Sequence, residues 1–426
     1  MTGILQDSVE EWVHQASQMA EIFSNAYLTI AASAAENGHQ GLMKRRRTTR
    51  KFDAVHNGKT YTVFVRDRIS HEFQYQGKVP FTNRTSLPLR KRAWCFQEEI
   101  LSKRIVHFTE DEIVFVCRMG TSCECRTGWT SRFQIPPFIG NSANHPIRVW
   151  GNIIEHYTGR QISYCKDRLP ALSSLTQYLE KDSGRYLAGL WESQLPGSLL
   201  WSAQDGKRPA PGHGVESRPP SWSWAAIEGQ VKLPSIAQYF LKQGIKILDV
   251  STHPSTDDPR GMVSGGHITL RGPLLPLEGN WKTPTDTTEK DFDGGYVYNG
   301  RFQFACDPGW ARDLPWSGSD ACYGLIDYRV TPWSLPPGEI VDDPTHLLVI
   351  HNENFGRHFL HFTSRRCLPG LLLQRLDDLN ASQSKTMENS ESKLAFVRVG
   401  FGVMRLSVED AEKALDRFGS TTVTIF

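Results

Sequence analysis

The chain has 426 residues, and 48 basic against 46 acidic side chains leave a formal net charge of +2. That balance excludes a global electrostatic pull toward nucleic acid or a membrane surface, so binding to either has to be local. With 39% hydrophobic and 22% charged residues, the composition is that of a globular protein rather than a disordered one, and the length allows two or three domains with sizeable cores.

The first element read along the chain is helical. Val9, Trp12, Val13, Ala16, Met19, Ala20, Phe23, Ala26 and Tyr27 recur at spacings of three and four and make one apolar face. Asp7 or Ser8 can cap this helix, and Glu10 and Glu11 suit the positive end of its dipole. Leu28-Thr29-Ile30 follows as a short strand. Lys44, Arg45, Arg46, Arg47, Arg50 and Lys51 form a basic run, and Tyr61 to Arg66 reads as a strand. Leu89 to Ser102 is expected to be one helix, with Trp94, Gln97, Glu98 and Leu101 on neighbouring positions of a face. Arg104–Phe108 and Ile113–Cys117 are apolar runs around Thr109-Glu110-Asp111-Glu112, the pattern of a β-hairpin.

Two more amphipathic helices are expected over Ile147–Tyr157 and Leu169–Leu179. Residues 203 to 220 are rich in Pro, Gly and charge, the composition of a loop or linker. Beyond them the runs Ile245–Val250, His267–Arg271, His346–Ile350, Leu371–Gln374, Ala395–Val399 and Thr421–Phe426 read as strands, with one late helix near Val408–Phe418 and a polar stretch from Asp377 to Ser392. The texture is therefore α/β to α+β. Four segments are expected: 1–130, a helical segment 131–202, a linker 203–220 and a β-rich region 221–426.

Several groups invite chemistry and each has a plainer reading. Cys117, Cys123 and Cys125 with His107 nearby suggest a metal, but Cys-x5-Cys-x-Cys is not the spacing of paired zinc knuckles, and no metal site is expected. Cys95 could be a thiol nucleophile only beside a positioned base; packing is its plainer role. The basic run from Lys44 to Lys51 lacks interleaved aromatics for base stacking and reads as a solvated loop, so no nucleic-acid partner is expected. Trp222 and Trp224 flank Ser223 in the alternation of a strand with both rings on one face, either core or a partner surface. No apolar run is long enough to span a membrane. The first residues lack the pattern of a secretory signal, so a cytoplasmic location with mostly reduced cysteines is expected.

Four segments in order carry a resemblance. The first runs from Gln6-Asp7-Ser8 through Trp12 and Met19 to Ile22-Phe23-Ser24-Asn25-Ala26-Tyr27-Leu28-Thr29-Ile30-Ala31-Ala32 and Gly41-Leu42. The second is Leu89-Arg90-Lys91-Arg92-Ala93-Trp94-Cys95-Phe96-Gln97-Glu98-Glu99-Ile100-Leu101-Ser102-Lys103-Arg104. The third is Lys166-Asp167-Arg168-Leu169-Pro170-Ala171-Leu172 with Tyr186–Trp191 and Leu199-Leu200-Trp201, and the fourth is Pro220-Ser221-Trp222-Ser223-Trp224-Ala225. Together they resemble a fungal heterokaryon-incompatibility (HET) domain and the segments that commonly follow it. Members of that family normally begin with two strands, the first carrying a tyrosine-x-x-leucine-serine-tyrosine-cysteine-tryptophan-glycine block. Neither strand is found here, so a fragment, a mispredicted gene product or a degenerate copy is expected.

The resemblance implies an incomplete Toll/interleukin-receptor-like α/β unit at the start. It also implies a role in self/non-self recognition, an innate-immunity-like signalling that ends in programmed cell death through a protein partner or self-assembly. Some relatives of that fold cleave NAD with a glutamate in a tryptophan-cysteine-x-x-glutamate pattern. Trp94-Cys95-Phe96-Gln97-Glu98 reproduces that spacing. By that likeness Glu98 is the candidate catalytic residue, with Trp94 and Gln97 beside it and NAD as substrate; no cofactor-binding residue is implied. The chemistry is reasonable, because a buried carboxylate stabilises the positive charge that builds as the nicotinamide–ribose bond breaks. The alternatives are a structural ion pair between Glu98 and Arg92, and a non-functional remnant.

Overall fold

Residues 18–43, 50–65, 87–117, 119–124, 146–177, 179–207, 219–233, 245–256, 258–276, 303–306, 321–326, 346–350, 365–375 and 394–426 are described by the structure, a computed structural model. The chain divides into two units: Met1–Asn141 with Arg160–Ile162, and Ser142–Gly159 with Ser163–Phe426.

In the first unit, helix α1 occupies residues 18–25. It buries Met19 and Ala20 and closes where the Ala26 N–H meets the Ile22 carbonyl at 3.0 Å. The earlier part of the expected helix, with Val9, Trp12, Val13 and Ala16, lies outside the described residues. Strand β1 (Thr29–Ala31) follows, then β2 (Arg50–His56) and β3 (Lys59–Val65). Asn57 and Gly58 join β2 to β3 with φ of 50° and 72°, the positive pair that an Asn-Gly hairpin turn requires. Of the basic run, Arg50 and Lys51 open β2, and residues 44–49 lie outside the described set.

The helix expected over 89–102 is two pieces. A 3-10 turn covers Pro88–Lys91 and α2 covers Cys95–Leu101, with Trp94 at its N-cap. Arg92 between them is extended (φ −82°, ψ 130°). The break has a cause: Arg92 forms a parallel bridge with Gln161, whose backbone accepts from Ala93 N–H at 2.8 Å and donates to the Lys91 carbonyl at 2.6 Å. A backbone engaged sideways cannot keep a helical ladder.

Strands β4 (Arg104–Phe108), β5 (Ile113–Cys117) and β6 (Gly120–Cys123) follow. The hairpin expected between β4 and β5 forms with Thr109 as its clasp: its hydroxyl donates to the Glu112 carbonyl at 2.6 Å and accepts from Glu112 N–H at 3.1 Å. The sheet runs β1-β4-β5-β6; β1 is parallel to β4 and the other pairs are antiparallel. Alternation along the strands buries Ile105, His107, Val114 and Val116, the period-2 pattern of a one-sided core.

The second unit opens with helices α3 (Pro146–Thr158), α4 (Pro170–Thr176) and α5 (Glu180–Ser183). Short strands β7 (Tyr186–Leu187) and β8 (Leu190–Trp191) form a two-residue hairpin over Ala188 and Gly189. Strand β9 (Ser202–Lys207) pairs with β10 (Glu228–Lys232). Residues 203–207, which composition assigns to the loop from 203 to 220, are therefore strand; 208–218 lie outside the described residues.

The expected strand through Trp222 and Trp224 is instead a turn leading into a 3-10 helix, Trp224–Ala226. Ser223 decides this, because its hydroxyl caps that helix by accepting from Ala225 N–H at 3.0 Å. Both rings are fully buried all the same, with Trp150, Trp191 and Trp201.

The remaining strands are β11 (Lys246–Pro254), β12 (Val263–Pro276), β13 (Gln303–Cys306), β14 (Ala321–Ile326), β15 (His346–Val349), β16 (Arg365–Arg375), β17 (Leu394–Ser407) and β18 (Ser420–Ile425), with helix α6 (Val408–Phe418) before the last. The pairing β12-β15-β16-β17 returns to β12 through β18, which lies antiparallel to β12 and parallel to β17. Five strands so joined form a closed circuit and leave no edge between them. One face of the circuit is apolar: Ile268, Leu270, Leu348, Leu371, Phe396, Val423 and Ile425 are fully buried or nearly so. The fold is mixed α+β with a β-rich second unit.

Candidate functional site

The block Arg90–Leu101 of the first unit concentrates charge around α2. The expected residues fall at its start. Trp94 is the half-buried N-cap, Gln97 is fully buried and Glu98 is half-buried. The three lie within one turn and a half, so the structure does bring them together. Burial pushes the Glu98 carboxyl up from its ordinary value; Arg92, a hydrogen bond with the Cys95 thiol and Arg160 offset only part of that. The Glu98–Arg92 ion pair is not found among the described residues, and Arg92 is exposed. Neither Gln97 amide atom has a hydrogen-bond partner there, although both are buried. An orphaned buried amide costs folding energy and needs a reason outside folding.

The carboxylate that does pair is the next one. Glu99 accepts from Arg90 Nη2 on Oε1 and, at 3.2 Å, from Arg90 Nε on Oε2; Arg160 Nη2 donates to the same Oε2 at 2.8 Å. Arg160 also lies over the Phe96 ring, 4.8 Å from its centroid. Burial alone would raise the Glu99 carboxyl, but Arg90 and Arg160 outweigh it and hold it well below the usual carboxylate range. Burial lowers the Arg160 guanidinium, and Glu99 works against that.

His107, on the inward face of β4, shares a 2.9 Å hydrogen bond between Nδ1 and the Ser33 hydroxyl. Burial lowers its pKa to about 4; Glu99 pulls it back, while Arg90 and Arg160 push it further down. Sequence reasoning reached His107 only as a metal ligand and did not reach Glu99, Arg90 or Arg160 as a group. The Gln-Glu-Glu run holds two adjacent acids, which point to different sides of a helix. Only the fold says which one meets the arginines.

Cys95 is buried beside Glu98, and both effects push its thiol up to about 12. A thiol held protonated at neutral pH is a poor nucleophile. Cys117 ends β5 and Cys123 ends β6, while Cys125 lies outside the described residues. Among the described residues no three His, Cys, Asp or Glu side chains come together to hold a metal ion.

What the arrangement can do follows from the contrast. Glu99 is neutralised by two arginines and is structural. Glu98 keeps a carboxyl with a raised pKa, one turn from an indole and beside a buried amide that has no hydrogen-bond partner among the described residues, a combination that can accept a ligand or a developing charge. Neither a curated protein nor a solved structure matches the chain. Residues 2–98 match the family model described as heterokaryon incompatibility protein (HET), a stretch that ends on Glu98 itself.

Proposed function

We propose that this protein acts in fungal heterokaryon incompatibility, as a cytoplasmic self/non-self recognition module whose first unit signals toward cell death by assembling with a second copy of itself. The observation that carries the reading is the outer side of β1. Among the described residues no strand pairs there, and Tyr27, Leu28 and Ile30 are exposed, Ile30 at 61% and Tyr27 at 82%. An apolar strand at a sheet edge offers a ready template for another strand.

The edge is held in place rather than frayed: Thr29 and Ser102 share a hydroxyl hydrogen bond of 2.7 Å, and Arg104 lies over the Tyr27 ring at 5.0 Å. The parallel β1/β4 pair with α2 between them is one βαβ crossover, which supports the Toll/interleukin-receptor-like arrangement within this reading. No helix among the described residues is long and apolar enough to cross a membrane.

Sedimentation of the purified full chain over a range of concentrations tests the assembly. The mass should rise with concentration, and Ile30→Lys should return it to the monomer. A monomer at every concentration would sink the proposal.

A second reading, favoured by the raised carboxyl of Glu98, is NAD cleavage. Full-length protein incubated with NAD would release nicotinamide, and Glu98→Gln would not. Absence of release from the assembled protein would remove this reading and leave the first intact.

A further inference from the structure

The β2–β3 hairpin is anomalous on physical grounds. All fourteen strand residues are exposed, so it has no core of its own, and a two-stranded hairpin in water is marginal without one. Its register sorts the side chains. On one face lie Arg50 opposite Val65, Phe52 opposite Val63, Ala54 opposite Tyr61, and His56 opposite Lys59. On the other lie Lys51 opposite Phe64, Asp53 opposite Thr62, and Val55 opposite Thr60.

The first face is thus an apolar stripe of Phe52, Val63, Tyr61 and Val65, each 46–52% exposed, with a cationic residue at each end and no carboxylate. The hairpin's one acid, Asp53, sits on the opposite face, where it accepts from the Thr62 hydroxyl at 2.6 Å and pairs with Lys51 at 3.8 Å.

The charge context is one-sided. Lys44, Arg45, Arg46 and Arg47 precede β2 in the sequence. In the sequence these cations run almost directly into Arg50 and Lys51, so the stretch carries a concentrated positive charge. The chain as a whole is near neutral, and this region is its cationic exception.

A second copy of the chain would bring the same cations to the same face. Bases would find only two rings to stack on, since valines have no π-face. An anionic bilayer meets both features. Its fluid headgroup boundary accepts a mixed aromatic and aliphatic stripe without shape complementarity, and its phosphates and carboxylates answer the cationic ends.

We propose that the β2–β3 hairpin is a peripheral docking arm for an anionic phospholipid surface, laid down on the Phe52–Val63–Tyr61–Val65 face. The test is co-sedimentation of the full chain with phosphatidylcholine vesicles containing phosphatidylserine, against pure phosphatidylcholine vesicles and a vesicle-free control. Binding should require the anionic lipid. Arg50→Gln combined with Lys59→Gln should weaken it roughly thirtyfold, about fivefold per cation removed. Phe52→Ser should weaken it as well, with an unchanged circular dichroism melt showing that the fold survives.

Failure to sediment with anionic vesicles, equal binding to neutral ones, or unchanged binding of both variants would each overturn the proposal. So would retention of a single-stranded oligonucleotide in place of vesicles, or a Phe52-dependent dimer. The Ile30→Lys variant keeps this test apart from the assembly reading, because the arm is intact in it and vesicle binding should persist.

Discussion

Glu98 and Glu99 are adjacent and chemically identical, and their surroundings give them opposite energetics. Glu99→Gln leaves Arg90 and Arg160 buried around a neutral amide. Breaking a buried ion pair in this way typically costs about 3–5 kcal/mol, so the first unit should show a much lower thermal midpoint. Glu98→Gln removes a carboxyl that burial disfavours when charged, and should leave stability at neutral pH unchanged or slightly higher. Calorimetry of the two variants side by side checks this; an equal loss in both would mean that Glu98 is structural.

That Trp94, Gln97 and Glu98 lie close together was legible in the sequence, because their spacing is local. The Glu99 cluster was not, because Arg160 enters from 61 residues away, and no local pattern encodes such a partner.

Among the elements, the hairpin β7–β8 shows how a turn can be fixed by what lies beneath it. Gly189 has φ of 100°, and its carbonyl accepts from both Trp150 Nε1 at 2.9 Å and Trp224 Nε1 at 2.7 Å. A Cβ at Gly189 would stand 2.6 Å from Trp224 Nε1, inside a fully buried ring that cannot move aside. Gly189→Ala should therefore destabilise the second unit by about 2–4 kcal/mol, through backbone strain and overpacking together. Ala188 beside it has φ of 46°. Ala188→Gly relieves a left-handed backbone at a non-glycine residue, and should cost nothing or gain up to about 1 kcal/mol. Denaturant melts that ranked the two substitutions the other way would contradict this account of the turn.

The long strands were legible only in part. β12 and β17 run for 14 residues each, but Gly265, Gly266, Gly400 and Gly402 within them read as turn residues in isolation. Glycine can serve a sheet where backbones approach closely, as at Gly370, where an added Cβ would run into the Leu348 carbonyl. The opposite error arose at Trp222 and Trp224, where period-2 alternation was outweighed by one serine cap.

For the whole molecule, the buried charges of the first unit set a response to acid. His107 takes a proton only near pH 4 in the folded chain, against 6.5 when exposed. A folded-state pKa that is depressed means the unfolded chain binds the proton first. Its contribution is complete above about pH 6.5 and is lost as pH falls through the window down to about 4. Glu99, held well below the ordinary 4.5, adds a contribution of the same sign that starts to be lost only below about 4.5.

The two losses are therefore successive, and a single substitution separates them. His107→Gln keeps a hydrogen-bonding group opposite Ser33 and removes the first titration. Its stability deficit relative to the parent should shrink between pH 7 and pH 4, by at most about 3 kcal/mol, while the fall below pH 4.5 remains in both proteins. Thermal unfolding followed at half-unit steps of pH reads the difference directly. A deficit that stays constant from pH 7 to pH 4 would show that His107 titrates alike in folded and unfolded chains, and that its burial beside the arginines carries no energetic weight.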